Sequence, residues 1–197
     1  YARLVPDEEQ VRMLMVSTDG HRLSKSEMTS GAAEGLDKAA ETILHHKAIS
    51  ELRRTLEGDE ENTRLAFRRS NVYFANDEVM LQVRELEETF PDYTKVIPKS
   101  NRINVQVDRG EMTQALRRIA TLTSSKTNII RLELVPSRMV LTSQNPEAGE
   151  GRDELEIDYD GDEIAIMFDP KFVGEFLRVL EPETTVNVGL TDGESPA

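Results

Sequence analysis

The 197-residue chain contains no cysteine, which excludes disulfides and thiolate metal sites and fits a reducing compartment. Histidine is scarce as well: His21, His45 and His46 are thin material for a metal centre. Apolar runs never exceed a few residues, so the sequence holds neither a membrane-spanning helix nor the apolar stretch of a signal peptide. Basic charge is also short, with 24 lysines and arginines against 37 acids and a net charge of −13. That balance opposes tight nucleic-acid binding by bulk charge, and docking on anionic membranes. A DNA contact would have to rely on a local basic surface or on geometry. Catalytic signatures are missing too, with no H-E-x-x-H, phosphate-cradling glycine loop or nucleophile elbow.

What is present is enough chain for one large or two modest domains, and 38% hydrophobic residues from which to build cores. Short, alternating, β-rich runs predict most of the structure: "VRMLMVS" (11–17), "TRLAF" (63–67), "NVYFA" (71–75), "VMLQV" (79–83) and "INVQV" (103–107). "IIRLELV" (129–135), "RMVLTS" (138–143), "ELEIDY" (154–159) and "EIAIMF" (163–168) continue the series. Three segments carry helical spacing instead. In "HKAISELRRTLEG", Ile49, Leu52 and Leu56 share a face and Gly58 supplies a stop. Asp108 caps a second helix with a Met112, Ala115, Leu116, Ile119 stripe. Asp169 and Pro170 open a third, with Val173, Phe176, Leu177 and Leu180 facing inward. Strands with amphipathic helices laid across them predict an α+β fold.

An internal repeat organises these elements. At an offset of about 124 residues, "ILHHKAISELRRTLEG" falls on "IMFDPKFVGEFLRVLEP", matching Lys47 with Lys171, Glu51 with Glu175 and Arg54 with Arg178. With a small register change, "RMLMVSTD" falls on "RMVLTSQN". The repeat predicts two related domains, residues 1–100 and 101–197, both incomplete. The first lacks an opening strand and helix, and the second lacks its last strand or strands.

The densest polar cluster is "VSTDGHRLSK" (16–25), with Asp19, Gly20, His21 and Arg22 in succession. Their chemistry favours a turn or partner surface, with Asp19-Gly20 reversing the chain. A hydrolase or metal enzyme centred on Asp19 and His21 stays open as an alternative. His45 and His46 are expected to diverge as a solvated pair before a helix, and the acidic stretch 145–156 to form a charged loop leading into a strand. Lys47, Arg53, Arg54, Arg109, Arg117, Arg118, Lys171 and Arg178 all lie on the three helices, interleaved with acids. An acidic protein that gathers basic charge on helices has reason to present them to an anion.

"VSTDGHRLS", followed about seventy residues later by "FPDYTKVIPK", resembles the central domain of the bacterial sliding clamps, the beta subunits of DNA polymerase III. "RIATLTSSKTNIIRLEL", "LTSQNPEAGE" and "MFDPKFVGEFLRVL" resemble the third domain of the same family. The resemblance implies clamp domains with antiparallel sheets outside and helices lining an inner face. It implies a replication processivity factor, cytoplasmic, without chemistry or cofactor of its own. In this family two chains close into a homodimeric ring around duplex DNA. A ring is retained topologically, so its inner wall needs only weak, sequence-independent contacts. Lys47, Arg53, Arg54, Arg117, Arg118, Lys171 and Arg178 are the implied DNA-facing residues.

The resemblance also implies a groove between the two domains that takes short peptides from the polymerase, the clamp loader and repair proteins. The matching positions are Thr18, Gly20, His21, Arg22, Leu23, Pro91 and Val96, with Asp169 and Phe172 on the other side. Leu122, Glu147, Glu150 and Asp153 match the ring-closing face. Thr121 and Gly149 depart from the family's apolar and acidic residues there, and "ILHHK" departs from an apolar-proline-basic-basic run. The first domain of the family has no counterpart in this sequence, which leaves a clamp-like adaptor without DNA encirclement as a second alternative.

Overall fold

The computed structural model describes residues 1–8, 10–32, 35–56, 63–123, 128–147 and 149–191. The chain folds as two compact units, Tyr1–Asp92 and Tyr93–Ala197.

In the first unit, β1 (Ala2–Asp7), β2 (Gln10–Thr18), β3 (Leu23–Ala32) and β4 (Ala40–Thr42) form an antiparallel sheet ordered β3-β2-β1-β4. Helix α1 (His46–Leu56) follows. The antiparallel meander β5 (Arg64–Arg68), β6 (Asn71–Ala75), β7 (Met80–Arg84) comes next. The second unit opens with a 3₁₀ turn at Tyr93–Lys95, then β8 (Ile103–Asp108) and α2 (Arg109–Ala120). Strands β9 (Ile130–Val135), β10 (Arg138–Asn145), β11 (Gly149–Glu156) and β12 (Ile164–Phe168) form a second sheet, ordered β11-β10-β9-β12. Helix α3 (Pro170–Arg178) and β13 (Thr185–Leu190) follow, β13 pairing antiparallel with β8.

The two four-stranded sheets have the same strand order, each with a helix after its fourth strand, so the sequence repeat is a structural repeat. Several strands escaped the alternation pattern. The strand β3 is almost wholly polar because it is an edge, paired among the described residues with β2 alone and exposed along most of its length. Pro6 obscures β1, but β4 pairs with Ala2, Arg3 and Leu4, so at Pro6 one side of β1 carries no ladder among the described residues. The short β4 and the terminal β13 were also not anticipated. The acidic stretch expected as a loop is strand from Gly149 onward. Its Glu154 takes Arg152 at 2.6 Å and Arg138 at 2.9 Å, and these two guanidiniums hold its carboxyl below the ordinary value.

Helix ends follow the capping residues. The Asp108 carboxylate accepts from the Glu111 amide at 2.8 Å, and Asp169 accepts from the Lys171 amide at 2.8 Å ahead of Pro170. Met112, Ala115, Leu116 and Ile119 are buried as their spacing predicts. In α3 Leu177 is buried, but Phe176 is 49% exposed, because the narrow contact of this short helix leaves that flank in solvent. Leu180 lies beyond the helix end and packs on the core. Gly58, expected to stop α1, lies outside the described residues, as does the Leu56 side chain.

The larger core is in the second unit, where α2 packs on β10 and β11 over Met139, Leu141 and Leu155. Arg109 joins the helices, its Nε donating to the Leu177 carbonyl at the C-terminal end of α3 at 2.8 Å. In the first unit Met13 and Met28 are cross-strand partners, as Met139 and Leu155 are in the second. There Met28 stays 54% exposed and Met15 36% exposed. Leu141→Ala is therefore expected to destabilise the second unit by about 2–5 kcal/mol, and Met15→Ala to cost far less. Urea unfolding of the full chain, followed by residue-resolved hydrogen exchange, checks the contrast.

Candidate partner-binding surfaces

The turn joining β2 to β3 satisfies its own polar groups. Asp19 Oδ1 accepts from the amides of His21 and Arg22, both at 3.1 Å. Asp19 Oδ2 accepts from Arg22 Nε at 3.1 Å. The Thr18 hydroxyl donates to the Arg22 carbonyl at 2.8 Å and accepts from the Gly20 amide at 3.2 Å. Gly20 sits at φ 86°, in the left-handed region that a side chain disfavours, so glycine is what lets the chain reverse here. These bonds leave His21 at the exposed tip, with Arg22 and Leu23 half-buried beside it.

The Asp19 carboxyl is held below its ordinary value of 3.8, chiefly by the His21 amide. The Arg22 amide and guanidinium add to this, against an opposing effect of desolvation. A carboxylate spent on three local hydrogen bonds is a poor general base. Among the described residues, no group of three or more histidines, aspartates or glutamates is arranged to hold a metal. The turn is a polar loop bonded to itself, with Leu23 as its apolar neighbour.

The other groove candidates divide between the units. Pro91 is exposed in the first, next to Phe90, whose ring stacks on Tyr1 with centroids 5.2 Å apart. In the second unit Val96 is 67% exposed after the 3₁₀ turn, and its amide donates to the Tyr93 carbonyl at 3.2 Å. Asp169 is occupied in capping α3, and Phe172 is half-buried one turn on.

All seven candidate DNA-facing side chains are exposed on helices. Arg54 pairs with Glu51 at 2.6 Å, an exposed i,i+3 contact. Lys47, Arg53, Arg117, Lys171 and Arg178 have no ion pair among the described residues. Arg118 and Asp153, assigned by sequence to different surfaces, meet at 2.6 Å across α2 and β11. The Asp153 carboxylate raises the Arg118 pKa, mainly through their hydrogen bond.

The remaining ring-closing candidates cluster at one end of β11. Leu122 closes over Gly151, where an added Cβ would fall 2.6 Å from Leu122 Cδ1. Glu147 and Glu150 are exposed, and the Glu147 amide is fixed by Asn145 Oδ1 at 2.9 Å. Among the described residues β11 is the sheet edge, pairing with β10 alone.

The histidine pair departs from expectation. His45 and His46 do not diverge; their ring centroids are 4.5 Å apart. His45 turns back onto the helix start, where Nδ1 accepts from the Lys47 amide at 3.2 Å, and this brings the rings together. Sequence reasoning missed that role, and that of Arg109, because neither residue has a characteristic spacing. The internal repeat held a signal for His45, since it falls on the capping Asp169.

Two family models match in succession. The central domain of the DNA polymerase III beta subunit covers residues 4–92, and its C-terminal domain covers 94–197. The chain belongs to the bacterial sliding-clamp family. Among curated sliding clamps, it is 33% identical over 173 residues to that of Caulobacter vibrioides, covering 88% of this chain and 46% of the relative. The Escherichia coli K12 clamp is 29% identical over 189 residues, 96% of this chain and 50% of the relative. The Pseudomonas aeruginosa clamp structure superposes with a TM-score of 0.86 at 26% identity, over 98% of this chain and 52% of that one. A Caulobacter crescentus clamp structure gives 0.85 at 30% identity, over 99% and 51%. This clamp-family chain thus spans about half the length of the relatives it matches.

Because the folded Asp19 carboxyl ionises below its ordinary value, the turn's bonds are complete above that value. They are lost only as pH falls through the lower, folded one. The amide resonances of His21 and Arg22 are expected to shift together in an acid titration, with a midpoint below 3.8. Asp19→Asn should remove that transition.

Proposed function

We propose that this chain supplies part of a DNA sliding clamp, a non-catalytic processivity factor that encircles duplex DNA and tethers replication proteins. The observation that carries this reading is the succession of two clamp-domain matches with a clamp-like structure over almost the whole chain. The charge distribution supports it. A protein of net charge −13 would bind DNA poorly by bulk attraction, but a ring holds its duplex by topology. Mildly basic helices then suffice, and weak contact favours sliding. On this reading Lys47, Arg53, Arg54, Arg117, Arg118, Lys171 and Arg178 face the duplex, and the Asp153 ion pair offsets the charge of Arg118. The complete protein is a cytoplasmic homodimeric ring, with Leu122, Glu147, Glu150 and Asp153 at its closing face.

Short, partly apolar peptides from the polymerase, the clamp loader and repair proteins are the proposed ligands of Thr18, Gly20, His21, Arg22, Leu23, Pro91, Val96, Asp169 and Phe172. Leu23, Pro91, Val96 and Phe172 offer apolar contact, while His21 and Arg22 offer polar edges. A Caulobacter crescentus clamp, 29% identical to this chain, has been solved with polyethylene glycol at a region described there as tethering beta motifs. Catalysis centred on Asp19 and His21 has no comparable support, since that carboxylate is consumed by its own turn.

A fluorescent clamp-binding peptide taken from a replicative polymerase should bind the full chain, and Leu23→Asp should weaken it about tenfold or more. Unchanged affinity in that titration sinks the groove assignment. Duplex binding should be weak, indifferent to sequence and steeply reduced by salt, and the combined Arg53→Glu, Arg117→Glu and Arg178→Glu changes should abolish it. Salt-independent or sequence-specific binding would count against encirclement.

A further inference from the structure

Helices α1 and α3 begin at equivalent points of the repeat, at His46 and Pro170, yet their caps differ in kind. At α3 the Asp169 carboxylate accepts from the Lys171 amide at 2.8 Å. At α1 an imidazole takes that place, with His45 Nδ1 accepting from the Lys47 amide at 3.2 Å. The His45 carbonyl accepts from the Ala48 amide at 2.9 Å, so this residue caps with both backbone and side chain. A carboxylate stays an acceptor throughout the neutral range. An imidazole nitrogen accepts only while the ring is neutral.

We propose that His45 makes the first turn of α1 a proton-sensitive element, capped when the imidazole is neutral and opened when it is protonated. The consequences of protonation act in one direction. Protonated Nδ1 becomes a donor facing another donor, the Lys47 N–H. The new cation sits at the positive end of an 11-residue helix. Its neighbours along the chain are the His46 ring, with centroids 4.5 Å apart, and Lys47, so no acid adjoins it in sequence.

Three acids on α1 and on the adjoining elements have hydrogen-bond partners other than His45. Glu41 on β4 accepts from the Tyr1 hydroxyl at 2.8 Å. The segment after β7 docks through the Leu86 amide on the Ile43 carbonyl at 2.8 Å, and its Glu85 accepts from Thr42 at 3.3 Å. On α1 itself Glu51 is held by Arg54. The capped form binds fewer protons than the opened form, so its population rises with pH. It falls as pH drops and the ring takes its second proton. Lys47 rides on that first turn, so its position responds to the same proton.

Amide hydrogen exchange and ¹⁵N shifts of Lys47, Ala48 and Ile49 in the full chain read the cap, and imidazole Cε1–H shifts read the protons. Between about pH 8 and pH 5.5 the Lys47 protection factor should fall about threefold or more, with the midpoint of His45. His45→Asp should remove the response, because its carboxylate remains an acceptor. His46→Ala should retain it, because the capping ring is untouched. A response that follows His46, survives in His45→Asp, or is missing while His45 titrates overturns the proposal.

Discussion

The four-stranded antiparallel sheet of the second unit has a face that must leave water, and the helix laid against it decides what that unit can present. In the second unit α2 covers β10 and β11, burying Met139, Leu141 and Leu155 against Met112, Ala115, Leu116 and Ile119. Burial of side chains this size contributes about 1.5–3 kcal/mol each, which outweighs any single surface ion pair. Once the apolar stripe faces inward, Arg117 and Arg118 must face outward, because successive helical positions are about 100° apart. The basic surface follows from the packing.

Helix starts show how local chemistry sets that orientation. Asp108, Asp169 and His45 each supply an acceptor to an amide of the first turn, and all three precede a helix that carries basic residues. The carboxylates suit the positive end of a helix at neutral pH, while the imidazole does so only without its second proton. Chemically different caps thus serve equivalent places in the repeat. Arg109 works at the other end, donating to a carbonyl that the last turn of α3 leaves unpaired.

In the Thr18–Leu23 turn an apparently reactive cluster is bonded to itself. An acid, an imidazole and a guanidinium lie within four positions, but the acid accepts from two amides and the guanidinium. What reaches solvent is a stiff rim carrying His21, with Leu23 at the start of β3. On the proposed function, a rim already held by its own hydrogen bonds would lose little conformational entropy when a peptide docks.

The sequence by itself determined the α+β class, most strands and the three helices, because period-2 and helical spacing record burial directly, while the repeat and the family resemblance lay in its motifs. It also determined the Asp108 and Asp169 caps and the Asp19-Gly20 reversal, whose side-chain chemistry acts within a few residues. Only the tertiary structure decided that polar "LSKSEMTSGA" is an edge strand, since it owes its form to pairing with β2 rather than to burial. It decided that Phe176 stays in solvent, that Arg118 spends its charge on Asp153, and that His45 folds back beside His46 to cap a helix. Each of those outcomes depends on what stands opposite the side chain in space, and spacing along the chain carries no record of that.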